Sequence, residues 1–218
     1  MDTPGKLGER SVRLSITALT SLIVSVNASA GTLYSFDDAA LIAFEDGGPI
    51  RGYFMKTEHA DGRQLECSFG FKTAGHADKS GRYKLAAQEK NQYFQARASG
   101  HLFVAGNDWR IQLNFPSEGC KQFPWPMFSS KAAEAFTFAV TEKKPAIGIY
   151  KLNAGASYYQ RSDTGFEPAA TKGIFRSVVV AVEKQGDFTR IENHAWRDTD
   201  TKYSTWVRTA DLEDLLGR

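Results

Sequence analysis

Val178-Val179-Val180-Ala181-Val182, the turn Gln185-Gly186-Asp187, the returning Phe188-Thr189-Arg190-Ile191, and then Trp206-Val207 and Asp211-Leu212 decide how this chain folds. The valine run is rich in β-branched residues, which fit a pleated strand better than a helix. Gly186-Asp187 supplies the turn chemistry that returns the chain on itself, so the two apolar segments read as a hairpin. Upstream, Ser157-Tyr158-Tyr159 leads into a polar loop from Gln160 to Ala169 and then Lys172-Gly173. An aromatic strand, a long loop, a tight hairpin and a last Trp-Val strand describe a compact small β barrel.

Working outward, period two dominates from Thr32 to about Val140. Leu65, Cys67, Phe69 and Phe71 alternate with Glu66, Ser68, Gly70 and Lys72, and Trp109, Ile111, Leu113 and Phe115 alternate with Arg110, Gln112 and Asn114. Such alternation marks half-buried strands. Weaker versions run through Ile50–Thr57, Arg82–Ala87, Gln92–Ala96, His101–Val104 and Phe136–Val140, separated by Asp61-Gly62, Ser80-Gly81 and Gly106-Asn107. Many short strands with turn pairs between them predict an antiparallel sandwich or barrel. Two short helical pieces are expected. One is Phe36–Ala43, although Leu41-Ile42-Ala43-Phe44 reads equally well as strand; the other is Ala210–Leu216, with Thr209 as its cap and Asp211 and Glu213 at the positive end of its dipole. The charged segment Glu142-Lys143-Lys144-Pro145 interrupts the pattern, which places a domain boundary between Thr141 and Ile147.

Lys6, Arg10 and Arg13, the apolar run Leu14–Val26 and Ala28-Ser29-Ala30 together fit a secretory signal. The expected organisation is therefore a signal peptide over 1–30, a β domain over 31–143 and a small barrel over 144–218. The apolar run falls short of the roughly 20 residues that span a bilayer, so no stable membrane insertion is expected after processing. Removing residues 1–30 changes the formal charge from +2 to +1, and the remaining acids and bases are interspersed. That balance argues against nucleic acid as a partner. Cys67 and Cys120 are the only cysteines. In an exported chain an isolated pair is most simply a disulfide, and closing that loop is worth about 4 kcal/mol in the chain-entropy picture. Cys67 shares the inward phase of its strand, so the bridge should tie the core face to the loop around Gly119-Cys120.

The order "ASYYQ…TKG…VVVAVEKQGDFTRIE…STWVRTADL" resembles a bacterial SH3-like (SH3b) domain over residues 147 to 214, with Gly186-Asp187-Phe188 and Trp206-Val207 as its most specific pieces. Phe188 stands where the family more often has Trp, and Thr205 where it usually has Gly. The preceding part, with Gly52-Tyr53-Phe54, Glu66-Cys67-Ser68-Phe69 and Gly119-Cys120, is similar to uncharacterised exported proteins of Gram-negative bacteria that set a disulfide-bearing β domain before an SH3-like module. The resemblance implies a periplasmic or secreted chain, and peptide or peptidoglycan binding at the barrel's loops.

No catalytic constellation is readable. His59, His76, His101 and His194 are scattered without metal-ligand spacing, and no G-x-S-x-G, H-E-x-x-H or phosphate-binding glycine loop occurs. Neither a metal nor a cofactor is expected. Acidic pairs such as Asp37-Asp38 could serve sugar hydrolysis, but adjacent carboxylates in a loop or cap are mostly solvated. The candidate binding residues are Tyr158, Tyr159, Trp196 and Trp206, whose rings stack on peptide or sugar or else fill the small core. With Phe188, the expectation is core for Phe188 and surface for Tyr159 and Trp196. The apolar loop Phe123-Pro124-Trp125-Pro126-Met127-Phe128 reads as a lid over a sheet end, or as a partner patch. These readings lead to a non-enzymatic periplasmic binding or adaptor protein whose partner is a peptide, an envelope protein or a peptidoglycan fragment. The alternative is an inhibitor or immunity protein that blocks a wall-degrading enzyme through Phe123–Phe128 or through Ser80-Gly81-Arg82-Tyr83.

Overall fold

The computed structural model describes residues 30–38, 40–60, 62–90, 95–114, 120, 136–169, 178–194, 196 and 202–216. It is almost wholly antiparallel β. Strands β1 (Gly31–Phe36), β2 (Leu41–Glu45), β3 (Arg51–Ala60), β4 (Arg63–Ala74), β5 (Arg82–Lys90), β6 (Gln95–Ala105), β7 (Asp108–Leu113) and β8 (Thr137–Ala146) pair in chain order, and β8 returns to β1 to close a barrel. Of the two architectures expected for this half, the barrel is the one formed. Closure satisfies the edge groups that a flat sheet would leave open.

A second sheet holds β9 (Gly148–Leu152), β10 (Tyr158–Ser162), β11 (Gly165–Pro168), β12 (Val178–Gln185), β13 (Phe188–Asn193), β14 (Ser204–Arg208) and β15 (Leu212–Asp214), in the order β11-β10-β14-β13-β12-β9-β15. The valine hairpin at its centre is as expected. Gly186 takes φ +57° at the turn, a backbone state that L side chains avoid.

The inward phase read from β4 and β7 is the one observed. Cys67, Phe69, Phe71, Trp109, Ile111 and Leu113 are all buried in the barrel interior, with Phe36, Phe54, Leu102 and Phe138. An eight-stranded barrel is just wide enough to be filled by its own side chains, and here the filling is aromatic: Phe54 stacks on Phe69 at 5.2 Å, and Phe36 meets Trp109 edge-on at 5.2 Å. Gly52 makes room for this. It lies opposite Phe71 across β3 and β4, and a Cβ there would fall 2.1 Å from the Phe71 ring. Cys67 bridges Cys120, with their Cα atoms 4.6 Å apart, so the disulfide fastens the interior face of β4 to the segment after β7.

Both helical expectations give way to strand. Chain 36–43 is the end of β1, a bend at Asp37-Asp38 and the start of β2. The reason is burial on two sides: Leu41 and Ala43 face the barrel interior, while Ile42 and Phe44 face outward into a second core. A strand covered on both faces is apolar at every position and loses its alternation. At the other end, Thr209–Asp211 makes a single 3-10 turn and Leu212 enters the ladder with β9. Thr209 caps nothing; its hydroxyl is 2.9 Å from that of buried Thr189, and the cap position is Arg208, without a side-chain bond. Glu142–Pro145 forms part of β8 and pairs with β1, and the chain changes sheets at Ile147.

The second core joins the halves. Leu33, Ile42, Phe44 and Ala146 on the barrel's outer wall pack with Ile149, Val178, Val180, Trp196 and Leu215. Val179, Ile191 and Val207 face the other way into a third, smaller core with Tyr150, Tyr158 and Leu212 packed against it.

Candidate functional site

The outer face of β13 and β14 carries the site. Side chains alternate along a strand, so Ile191 and Val207 point into the third core while Phe188, Arg190, Glu192, Ser204, Trp206 and Arg208 point the opposite way. Phe188 lies opposite Arg208, Arg190 opposite Trp206, and Glu192 opposite Ser204. Neighbouring β10 and β11 add Tyr159 and Phe166. Phe166 stacks on Phe188 at 4.1 Å and meets Trp206 edge-on at 4.9 Å, while Tyr159 meets Phe188 edge-on at 5.0 Å. Tyr159, Phe166 and Phe188 are half-buried.

Exposed Arg208 lies over two of these rings, its guanidinium carbon 5.8 Å from the Tyr159 centroid and 5.5 Å from that of Phe188. Its Nε donates to the Tyr159 hydroxyl at 3.3 Å. That hydrogen bond first, and then the charges of Asp187 and Asp211, hold its proton more firmly than in a free guanidinium. A cation close to aromatic rings gains from their negative faces, and a guanidinium has five N–H donors, so others stay available.

Farther along the strip the character turns ionic. Arg190 Nε donates to Glu183 at 2.9 Å, and Arg190 Nη1 lies 3.6 Å from Glu192, whose other oxygen accepts from Lys144 Nζ at 3.1 Å. Lys144 belongs to β8, so this chain of charges crosses from the second sheet to the barrel. It ends at a cleft of about 370 Å³ between the two, lined by Leu33, Ser35, Glu142 and Lys144 on one side and by Val180, Glu192, Asn193, His194, Lys202, Tyr203 and Ser204 on the other. Tyr203, 44% exposed, stands at its rim, with its N–H donating to the Asn193 side chain at 2.5 Å.

Of the four binding residues expected from the sequence, the fold brings two together. Tyr159 and Trp206 are partners across β10 and β14 and share the ring cluster, where Trp206, 7% exposed, is buried against Phe166 and only Tyr159 keeps exposed ring surface. Tyr158 points to the opposite face, where burial raises its phenol pKa above the ordinary value. Trp196 is not a surface ring: at 7% exposure it fills the second core, edge-on to Tyr53 at 5.4 Å and to His194 at 4.5 Å. The barrel wall covers it, and its isolated position in a polar stretch carries no trace of that partner. Phe188, expected in a core, is half-buried in the ring cluster, because the Gly186-Asp187 turn sets it on the outer phase of β13. Phe166 escaped notice because it sits alone in the polar segment 160–169; the β10–β11 hairpin lays it beside Trp206.

Asp37 and Asp38 hold a bend. Asp37 accepts from the N–H of Ala139 and Asp38 at 2.9 Å, and Asp38 accepts from Ala40 N–H at 3.0 Å and Lys56 Nζ at 2.8 Å. Phe123–Phe128 and residues 1–29 lie outside the described residues. Among the described residues no three His, Cys, Asp or Glu side chains converge as a metal site, and no helix is long and apolar enough to cross a membrane. A disulfide fits a chain that matures outside the reducing cytoplasm. No family model, curated protein or solved structure matches the chain.

Proposed function

We propose that this chain is a non-enzymatic binding or adaptor protein of the periplasm or the secreted space, and that it docks an extended peptide or peptide-bearing cell-wall fragment along the outer face of β13 and β14. The observation that carries this reading is the continuity of the strip: stacked rings under Arg208 at one end, a chain of ion pairs in the middle and a cleft at the other. From Phe188 to Glu192 the strip runs roughly 13 Å at strand rise, the span of a short extended peptide. Rings bind apolar side chains or sugar faces at low entropic cost, and the flanking charges fix direction. The three-strand run β12-β13-β14, the 3-10 turn and the pairing of short β15 with β9 support an SH3-like reading of this half. The disulfide and the signal-like amino terminus support export.

Co-sedimentation with purified sacculi, beside titration with a synthetic wall-stem peptide, tests it. Phe166→Ala and Tyr159→Ala are the variants, since truncating a central ring at an interface typically costs more than 1 kcal/mol of binding. At least a several-fold loss of affinity is expected in each. Absent binding by the parent, or binding indifferent to both substitutions, would remove the proposal.

A further inference from the structure

A second hollow lies around the barrel from the β13–β14 strip, on the outer wall of β4, β5 and β6. It encloses about 280 Å³ and is lined by Ala74, Gly75, His76, Asp78, Arg82, Lys84 and His101. Four of those seven carry positive or N–H-donating side chains. Lys84 and His101 are direct partners across β5 and β6, and Ala74, small enough to leave the floor open, is the partner of Lys84 across β4 and β5. His76 comes from the turn after β4. Two histidines that are distant in sequence thus share one hollow, His101 placed there by strand register and His76 by the turn that follows β4.

The single acid is already committed. Asp78 accepts from Ser80 N–H at 2.9 Å, Ser80 Oγ at 2.5 Å, Arg82 N–H at 3.1 Å and Arg82 Nε at 2.9 Å. These bonds, the Ser80 hydroxyl foremost, hold its carboxyl well below the usual carboxylate range. Asp78 therefore balances Arg82 and fixes its guanidinium at the rim, while Lys84 has no acidic partner among the described residues. Exposed Lys72, on the same outward phase of β4, and exposed Arg97, on that of β6, continue the positive strip.

We infer that this hollow binds a tetrahedral oxyanion, a phosphate group carried free or on a lipid headgroup, between Lys84, the two imidazoles and the rim of Arg82. Lys84 supplies a point charge, each imidazole an N–H donor, and Arg82 a planar donor edge held by Asp78; such charge-assisted bonds are the strong ones for phosphate oxygens. The site does not depend on the reading of the β13–β14 strip, and the two fail separately.

The test is a titration of the full chain with inorganic phosphate, following the imidazole signals by NMR, and in parallel co-sedimentation with phosphatidylglycerol vesicles against phosphatidylcholine vesicles. Expected are saturable shifts at His76 and His101, with affinity at least tenfold weaker in Lys84→Glu and clearly weaker in His101→Gln, while Lys184→Glu on the second sheet is unchanged. Lys84 is exposed, so unchanged circular dichroism of its variant separates lost binding from lost folding. Phosphate without vesicle binding identifies a free anion as the source; selective phosphatidylglycerol binding, lost in Lys84→Glu, identifies a headgroup. Neither probe binding, or binding indifferent to Lys84→Glu, overturns the inference.

Discussion

Tyr34 and Tyr158 are phenols that the fold has partly withdrawn from water. Tyr34 packs on Trp109 at 4.8 Å and donates to Glu45 at 3.1 Å; burial first, then that bond and the carboxylate's charge, raise its pKa, and burial alone raises that of Tyr158. The native state therefore holds these protons after the unfolded chain, whose phenols titrate near 10, has released them. Their contribution is complete below about pH 10 and is lost as pH rises through the folded values. Urea midpoints measured from pH 8 to 11.5 should fall on the alkaline side, and Tyr34→Phe with Tyr158→Phe should flatten that fall; an unaltered slope would count against it. Neither shift is readable from residue type, because each depends on which face of a strand the ring takes. The same limit explains Trp196 and Phe188. A lone ring in a polar stretch says nothing of a wall from another part of the chain, and one next to a turn belongs to either phase until the hairpin geometry assigns it.

At the scale of elements, the sequence carried most of what was needed wherever one face of a strand meets water. β4 and β7 alternate in plain view, and the valine hairpin announces its own turn. The weak points are β2, whose Leu41–Phe44 reads as strand or helix alike, and β15, which reads as helix; there tertiary surroundings outweigh local pattern, since β2 is apolar throughout because both its faces are covered, and β15 is too short to show any period and is held by β9. The disulfide belongs to this scale as well. It ties β4 to residue 120 across 53 positions, so replacing both cysteines by serine should lower stability by up to about 4 kcal/mol. Chemical denaturation of the oxidised parent against the double variant measures this. Equal midpoints would mean that the crosslink adds nothing beyond the barrel's own closure.

For the whole molecule, the second core decides whether the two sheets behave as one body. Ile42 and Phe44 of the barrel and Val178, Val180 and Trp196 of the second half are buried against each other, so the parent should unfold in one transition, seen alike by circular dichroism and by reducibility of the disulfide. Trp196→Ala empties a large site there and should cost about 3–5 kcal/mol, with the two signals separating. Two transitions in the parent would refute the coupling. Leu215, 2% exposed in that core, also sets an order of events during biosynthesis. Ile42 is made early and Leu215 late, and at ribosomal rates the interval is on the order of 10 s. Until residue 215 has appeared, the barrel's outer wall lacks part of its cover, and the nascent chain presents to its surroundings an apolar flank that the finished protein hides.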